Sequence, residues 1–276
     1  MRRAGALRLG RFSRAGGNAV TAPQTATDLL PFVAPCRTIA ASAPWRWIRL
    51  GWHDIRAAPA QSLGFGVGIA VLSGLVSAIA LRFGTGWLLL MLLSGFVFVA
   101  PVLAMGLYTI SAALERGVKP SFAACLAAAR RDVGDSLVYS LILMVICLVW
   151  VRAGSGVEIF FPEEAVPSRL ALATFLAIGS AVGSVFALVA FAASAFSLPM
   201  LVDRRTDAVT AVVTSVNAVL RNKRAMLVWS LLIVLSVGIG FATALVGLAV
   251  TMPLIGHATW HAYRETIDAS AWPAKA

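Results

Sequence analysis

Apolar positions recur along this chain in two patterns, long unbroken runs and shorter helical stripes laid between them. Residues 63–81 form the first run, and after a turn at Arg82-Phe83-Gly84-Thr85-Gly86 a second covers 87–113. Together they predict a helical hairpin. The third run is 136–151 and the fourth 169–198, separated by a polar loop with Glu158, Glu163 and Glu164. A last apolar stretch, 225–255, is too long for one upright span of about 20 residues and slightly short for two. Between the runs lie three stripes at helical spacing: Trp45, Ile48, Trp52 and Ile55; Phe122, Cys125, Leu126, Ala129 and Val133; and Val209, Val212, Val213, Val216 and Leu220. Such stripes predict amphipathic helices.

A proline-centred unit repeats within this pattern. Around Pro101 and again around Pro253, a Gly lies six residues earlier, a small residue three later and a large aromatic seven later; Pro199 carries a weaker echo. If the unit marks three equivalent hairpins, 225–255 divides into two short spans turning near 238–243. The expected fold is all-α, a polytopic transmembrane helical bundle of six spans in three hairpins with cytoplasmic amphipathic interfacial helices. Its spans are about 63–81, 87–113, 136–151, 169–198, 225–240 and 243–262. They form a membrane domain over 45–264, preceded by a basic tail, 1–44, and followed by a C-terminal tail, 265–276.

Composition fixes the solvent. With 59% apolar and 13% charged residues and a mean hydropathy of +0.86, a soluble fold of this size could not bury its apolar surface. The formal charge of +11 does not indicate nucleic acid, because the Lys and Arg flank apolar spans instead of forming one water-facing patch. It indicates topology. In the six-span arrangement all of them except Arg82, Arg152 and Arg169 fall on one face, which the positive-inside rule assigns to the cytoplasm together with both termini. A five-span arrangement would strand Arg264 and Lys275 outside and put Pro253 on the opposite membrane face from Pro101 and Pro199. The expected location is thus a membrane, crossed several times. The three cysteines, Cys36, Cys125 and Cys147, are far apart and form no CxxC pair, so no disulfide framework or thiolate metal site is indicated.

The tail carries Arg2, Arg3, Arg8, Arg11 and Arg14 and no acid before Asp28. Three readings fit it: a presequence-like segment, a disordered cytoplasmic tail, and a start codon placed too early. After it, Trp45 and Trp52 with Arg46, Arg49 and Arg56 suit the headgroup layer, as do Trp260 and Tyr263 near the end of the last span. Arg221, Lys223 and Arg224 close the third amphipathic helix and are expected to face anionic lipid.

The run Pro44-Trp45-Arg46-Trp47-Ile48-Arg49-Leu50-Gly51-Trp52-His53-Asp54-Ile55-Arg56-Ala57-Ala58-Pro59, with Ser62-Leu63-Gly64-Phe65-Gly66, resembles the start of the bacterial integral membrane family catalogued as domain of unknown function 2189. The Pro101 and Pro199 regions and the closing Pro253-Leu254-Ile255-Gly256-His257-Ala258-Thr259-Trp260-His261-Ala262-Tyr263-Arg264 are similar to the rest of its pattern, over roughly 33–264. The resemblance implies a bacterial inner-membrane protein with no established activity. Some relatives carry a cytochrome oxidase label. A haem-copper centre needs more histidines inside its helices than the three here, His53, His257 and His261.

His257 and His261, spaced i, i+4, are weak metal candidates, because no Cys, Asp or Glu adjoins them in the sequence to complete a shell. An interfacial cluster with Trp260 and Tyr263 is favoured. Gly64-Phe65-Gly66-Val67-Gly68 superficially resembles a phosphate loop, but it runs directly into a span. Gly64 with Gly68, and Gly179 with Gly183, are small pairs expected to let helix backbones approach. No Ser-His-Asp or Cys-His arrangement is evident, and hardly an ionisable group falls within the spans, which leaves little for a proton pump or selective channel. No catalytic residue or cofactor is assigned and no enzyme is expected.

Two function classes remain. One is a non-enzymatic membrane scaffold or assembly factor whose partners are anionic lipid and a second copy or another membrane protein, and not nucleic acid. The other is a transporter or flippase for a neutral or lipid-like solute, for which the repeated hairpins and prolines speak.

Overall fold

The computed structural model describes residues 31–84, 103–131, 133–158 and 168–275. Among them all regular elements are helices: α1 Ala43–Ala57, α2 Pro59–Phe83, α3 Leu103–Glu115, α4 Phe122–Arg131, α5 Val133–Glu158, α6 Arg169–Ser194, α7 Ser197–Asp203, α8 Ala208–Arg221, α9 Lys223–Ala242 and α10 Leu248–Thr266. Most of the expected tail, the first part of the 87–113 span and Pro101 lie outside the described residues.

Local sequence accounts for most of the boundaries. Pro44 and Pro59 stand in the first turns of α1 and α2, where a missing N–H removes no intrahelical bond. Ser168 caps α6 by accepting from the Ala171 N–H at 3.1 Å, and Asp207 caps α8 by accepting from the Thr210 N–H at 2.9 Å. After α3 the chain reverses through Gly117, whose φ of 70° is one that glycine adopts without a steric penalty. The break between α6 and α7 comes just before Pro199, which cannot donate to the helix behind it. Ser215 of α8 compensates there, accepting from the Phe196 N–H at 3.1 Å and donating to the Ala192 carbonyl at 2.7 Å.

The 225–255 stretch is two helices. The turn between α9 and α10 falls at residues 243–247, slightly beyond the 238–243 expected, with Ala244 and Leu245 both at positive φ. The two helices pack together as a hairpin, and so do α5 and α6. Among the described residues four helical segments, Pro59–Phe83, Ser136–Gly154, Arg169–Asp203 and Lys223–Ala242, are long and apolar enough to cross a membrane. Their large side chains face outward: Val71 is 65% exposed, Leu148 46%, Val185 60% and Val234 67%. Faces this apolar require lipid or another apolar partner in place of water.

One end of the bundle is bound quite differently. Here α10 packs on α1, α2, α7 and α9, while α8 packs on α5, α6, α7 and α9. Residues 33–42, grouped in the sequence with the basic tail, are a strap held across this end. The Ala34 N–H donates to Thr214 Oγ1 at 3.1 Å, the Ile39 N–H donates to Asn222 Oδ1 at 2.9 Å, and Asn222 Nδ2 donates back to the Arg37 carbonyl at 3.0 Å. The C-terminal segment is likewise fixed, through Asp268 N–H to the Pro35 carbonyl and Lys275 N–H to the Asp203 carbonyl, each at 2.9 Å. The described parts of the two expected tails are thus components of the fold.

Two of the amphipathic helices, α1 and α8, also turn differently from the expectation. In α1 the face against the protein is Trp47, Gly51, Asp54 and Ile55, and only Ile55 belongs to the predicted stripe; Trp45 and Trp52 point outward at 57% and 39% exposure. In α8 the buried face is small and polar, Ala211, Thr214, Ser215 and Ala218, leaving Val209 and Leu220 exposed. In α4 Cys125 is buried and Phe122 stacks on Phe65 of α2 at 5.5 Å between ring centroids. The reason is steric: small residues let backbones approach, and the large apolar side chains remain for a second surface.

Candidate functional site

The two histidines of α10 lie one turn apart on the face that meets α1, α2 and α3. Their partners come from far along the chain. His257 Nε2 lies 2.9 Å from Ser62 Oγ, in the first turn of α2, and His257 Nδ1 lies 2.8 Å from Ser111 Oγ of α3. Ser111 donates to Asp54 Oδ2 of α1 at 2.7 Å, and His261 Nε2 meets the same oxygen at 2.9 Å. The result is a continuous chain, Ser62–His257–Ser111–Asp54–His261. Ser62, Ser111 and His257 are fully enclosed, Asp54 is nearly so, and His261 reaches partly toward solvent.

The proton positions follow from counting donors. Because the one hydroxyl proton of Ser111 goes to Asp54, His257 Nδ1 must supply the proton between itself and Ser111. Its Nε2 then accepts from Ser62. Every polar atom in this sequence of bonds has a partner, which matters because an unsatisfied buried polar group costs about 1–3 kcal/mol. Burial pushes the Asp54 carboxyl up, but the bonds from His261 and Ser111 and the nearby imidazoles outweigh it and hold the carboxyl below its ordinary value.

Two glycines make the chain reachable. An added Cβ at Gly51 would come within 2.8 Å of Ala258 N and Leu254 O, so α1 lies directly on the backbone of α10 one turn before Asp54. At Gly66 an added Cβ would overlap the Ala249 carbonyl oxygen and Pro253. That carbonyl has no partner at the fourth residue on, because Pro253 has no N–H to give it. Thus α2 crosses α10 where the proline interrupts its ladder. The pairs chosen from spacing behave otherwise. Among the described residues, an added Cβ at Gly68 or Gly179 meets nothing within 4 Å, one at Gly183 is 3.7 Å from Trp150 Nε1, and only at Gly64 does one meet a neighbour closely, the Phe122 ring.

A second shell of bonds surrounds the chain at the last turns of α10. Trp260 Nε1 donates to Glu115 at 3.1 Å, Tyr263 Oη donates to Asp203 at 2.8 Å, and Arg264 bridges Glu115 at 3.0 Å and Asp203 at 3.3 Å. Trp47 Nε1 donates to Glu265 at 2.8 Å while Arg46 pairs with the same carboxylate, and the Trp47 ring meets Trp229 edge-on at 5.5 Å. Trp260 and Tyr263 are each 1% exposed. They are therefore core anchors between helices, correcting their expected place in the headgroup layer.

In the sequence no acid adjoins the histidines and no Ser-His-Asp arrangement is evident. The fold supplies both. The order of groups nevertheless differs from a nucleophilic triad, in which the carboxylate orients the imidazole directly; here a hydroxyl stands between them. Both ring nitrogens of His257 are engaged by hydroxyls and His261 Nε2 by Asp54, so His257 has no lone pair left for the metal role considered for it. Among the described residues no group of three His, Cys, Asp or Glu side chains is arranged to hold a metal.

Such a helix corner, beneath four helices that need lipid, fits an integral membrane protein. Residues 88–203 match the family described as Predicted integral membrane protein (DUF2189). No curated protein and no solved structure matches the chain. The matched stretch is shorter than the 33–264 over which the motifs resemble that family. It contains Ser111, Glu115 and Asp203, whereas Asp54, Ser62, His257 and His261 lie outside it. The polar corner thus joins the family-matched segment to the helices on either side of it.

Proposed function

We propose that the protein is a non-enzymatic scaffold or assembly factor of the bacterial inner membrane. The observation that supports this best is the division between one end of the bundle, where α1, α3, α7 and α10 are tied by directed polar bonds, and helices whose apolar faces are left open. Open faces of that size suit lipid, a second copy of the chain or another membrane protein. In this reading six spans pair as three hairpins, with α3 and α10 completing the first and third, and both termini face the cytoplasm. In support, Arg37, Arg46, Arg116, Arg204, Arg224 and Arg264 gather at the tied end, while Arg82, Arg152 and Arg169 stand at the other ends of α2, α5 and α6. The exposed Trp45 and Trp52, with Arg56 over the Trp52 ring at 5.5 Å, would rest on anionic headgroups.

Photo-crosslinking residues at Leu231 and Val234, both exposed on α9, test the scaffold in native membranes. Discrete protein adducts support it; lipid adducts alone contradict it. The second reading, a transporter or flippase, has one feature in its favour: an open apolar groove of about 330 Å³ between α5 and α6, lined by Leu143, Cys147, Trp150 and Phe186. Translocation of a labelled lipid by the protein in vesicles, lost on Ala187→Trp within that groove, would favour it. Reporter fusions after Lys119, after Glu164 and at the C-terminus test the topology, and a periplasmic C-terminus would contradict the six-span arrangement.

A further inference from the structure

The elbow between α8 and α9 holds a cleft of about 590 Å³, walled by strap residues Thr38 and Ala41 on one side and by Leu220 to Ala225 on the other. Its shape is fixed from behind by Asn222. That side chain is buried and fully used, accepting from the Ile39 N–H and donating to the Arg37 and Ala218 carbonyls. Because Asn222 is committed to the strap, it does not cap α9, and no side chain does. The cleft is therefore lined by the uncapped first turn of a helix and by three cations, Arg221, Lys223 and Arg224. Among the described residues no carboxylate pairs with any of the three, although every acid near α10 is paired. Arg221 makes only a long bond, 3.4 Å, to the Cys36 carbonyl.

We infer that this cleft binds the phosphate headgroup of one anionic phospholipid. Positive charge without a counterion among the described residues, a pre-formed concavity and a helix N-terminus together suit a phosphate. What distinguishes a lipid from a soluble phosphate is the surface that continues from the cleft. Arg224, Leu227 and Leu231 fall on one face of α9, and the two leucines are 60% and 59% exposed at the start of a segment apolar enough to cross a membrane. A headgroup held by the cations would have its acyl chain running down that face. The inference rests on the membrane reading of α9 alone and stands apart from the choice between scaffold and transporter.

The test uses the full chain in nanodiscs of equal parts phosphatidylcholine and phosphatidylglycerol, extracted gently and weighed intact by native mass spectrometry. The wild type should carry one phosphatidylglycerol and discriminate against phosphatidylcholine. The triple variant Arg221→Gln/Lys223→Gln/Arg224→Gln should bind the anionic lipid on the order of a hundred-fold more weakly, and Arg221→Lys/Arg224→Lys should retain it. Because all three side chains are exposed, far-ultraviolet circular dichroism should be unchanged. The control Arg116→Gln/Lys119→Gln, which removes two cations from the exposed turn after α3, should leave the bound lipid untouched. Equal loss in the control would reveal diffuse surface charge and overturn the inference, as would undiminished binding by the triple variant. Inorganic phosphate competing as well as the lipid would also overturn it, in favour of a soluble anion. Each of these results leaves insertion of α9, and with it the membrane reading, separately measurable.

Discussion

The corner formed by α1, α2, α3 and α10 and the hairpin of α5 and α6 use opposite means of association. At the corner, glycines bring backbones into contact and a chain of five polar side chains fixes which helix meets which. In the hairpin, Leu143, Ile146, Trp150 and Phe186 meet around an open groove, and the hydroxyls of Thr174 and Ser184 turn back to carbonyls of their own helix. Apolar contact within lipid is weakly selective, since an acyl chain offers a side chain much the same surroundings. Directed hydrogen bonds are selective, because a wrong neighbour leaves donors and acceptors unsatisfied. The contrast assigns architecture to the corner and adaptability to the hairpin.

The largest blow to that contrast should come from Asp54→Ala. It strips Ser111 and His261 of their shared acceptor inside an enclosed site, so unfolding stability in detergent should fall by about 3 kcal/mol, seen as a lower thermal midpoint. An unchanged midpoint would mean that the polar chain does not hold the corner. Next is Gly66→Ala, whose methyl has only the Ala249 carbonyl and Pro253 to move into, and which should cost about 1–3 kcal/mol. Gly179→Ala, with nothing within 4 Å among the described residues, is its counterpart in the hairpin, expected to be neutral within about 0.5 kcal/mol. Equal losses would remove the difference between the two regions. A smaller effect, about 1 kcal/mol, is expected for Trp260→Phe, which keeps the ring and removes its bond to Glu115.

Acid sharpens the comparison further. The Asp54 carboxyl is held below its ordinary value, so its contribution is complete above the unfolded value of about 4 and is lost as pH falls through the lower, folded value. Hydrogen exchange in α1 should therefore accelerate at acid pH while the α5–α6 pair stays protected. In Asp54→Asn that acid dependence should disappear, leaving α1 equally protected at both pH values.

The helices were largely legible in the sequence, because apolar length and proline position are local properties. So was the division of 225–255, which the repeat around Pro253 anticipated to within a few residues. The packing faces were not. Helical spacing marked Trp45, Ile48, Trp52 and Ile55 as a unit, but it could not show that Gly51 would draw Trp47 and Asp54 to the protein side. Glycine spacing likewise singled out Gly68 and Gly179, while close approach fell on Gly51 and Gly66, decided by where α10 crosses. His257 and His261 were recognised as a pair without their partners, since Asp54 lies more than 200 positions from His261. One signal was present: Asp54 is the only acid between Asp28 and Glu115. A lone carboxylate there suggests a buried partner. Finally, the strap at 33–42 looked like a tail because most of its bonds are made by backbone groups, which carry no pattern in the sequence.

His257 is enclosed between two hydroxyls, with its Nδ1 proton directed through Ser111 toward Asp54. Nitrogen-15 magnetic resonance of histidine-labelled protein in lipid nanodiscs at neutral pH reads this directly. The account predicts one imidazole in the neutral Nδ1–H form, its proton exchanging slowly with water, and a change in that signal on Ser111→Ala. An Nε2–H form, or a ring proton in rapid exchange, would contradict it.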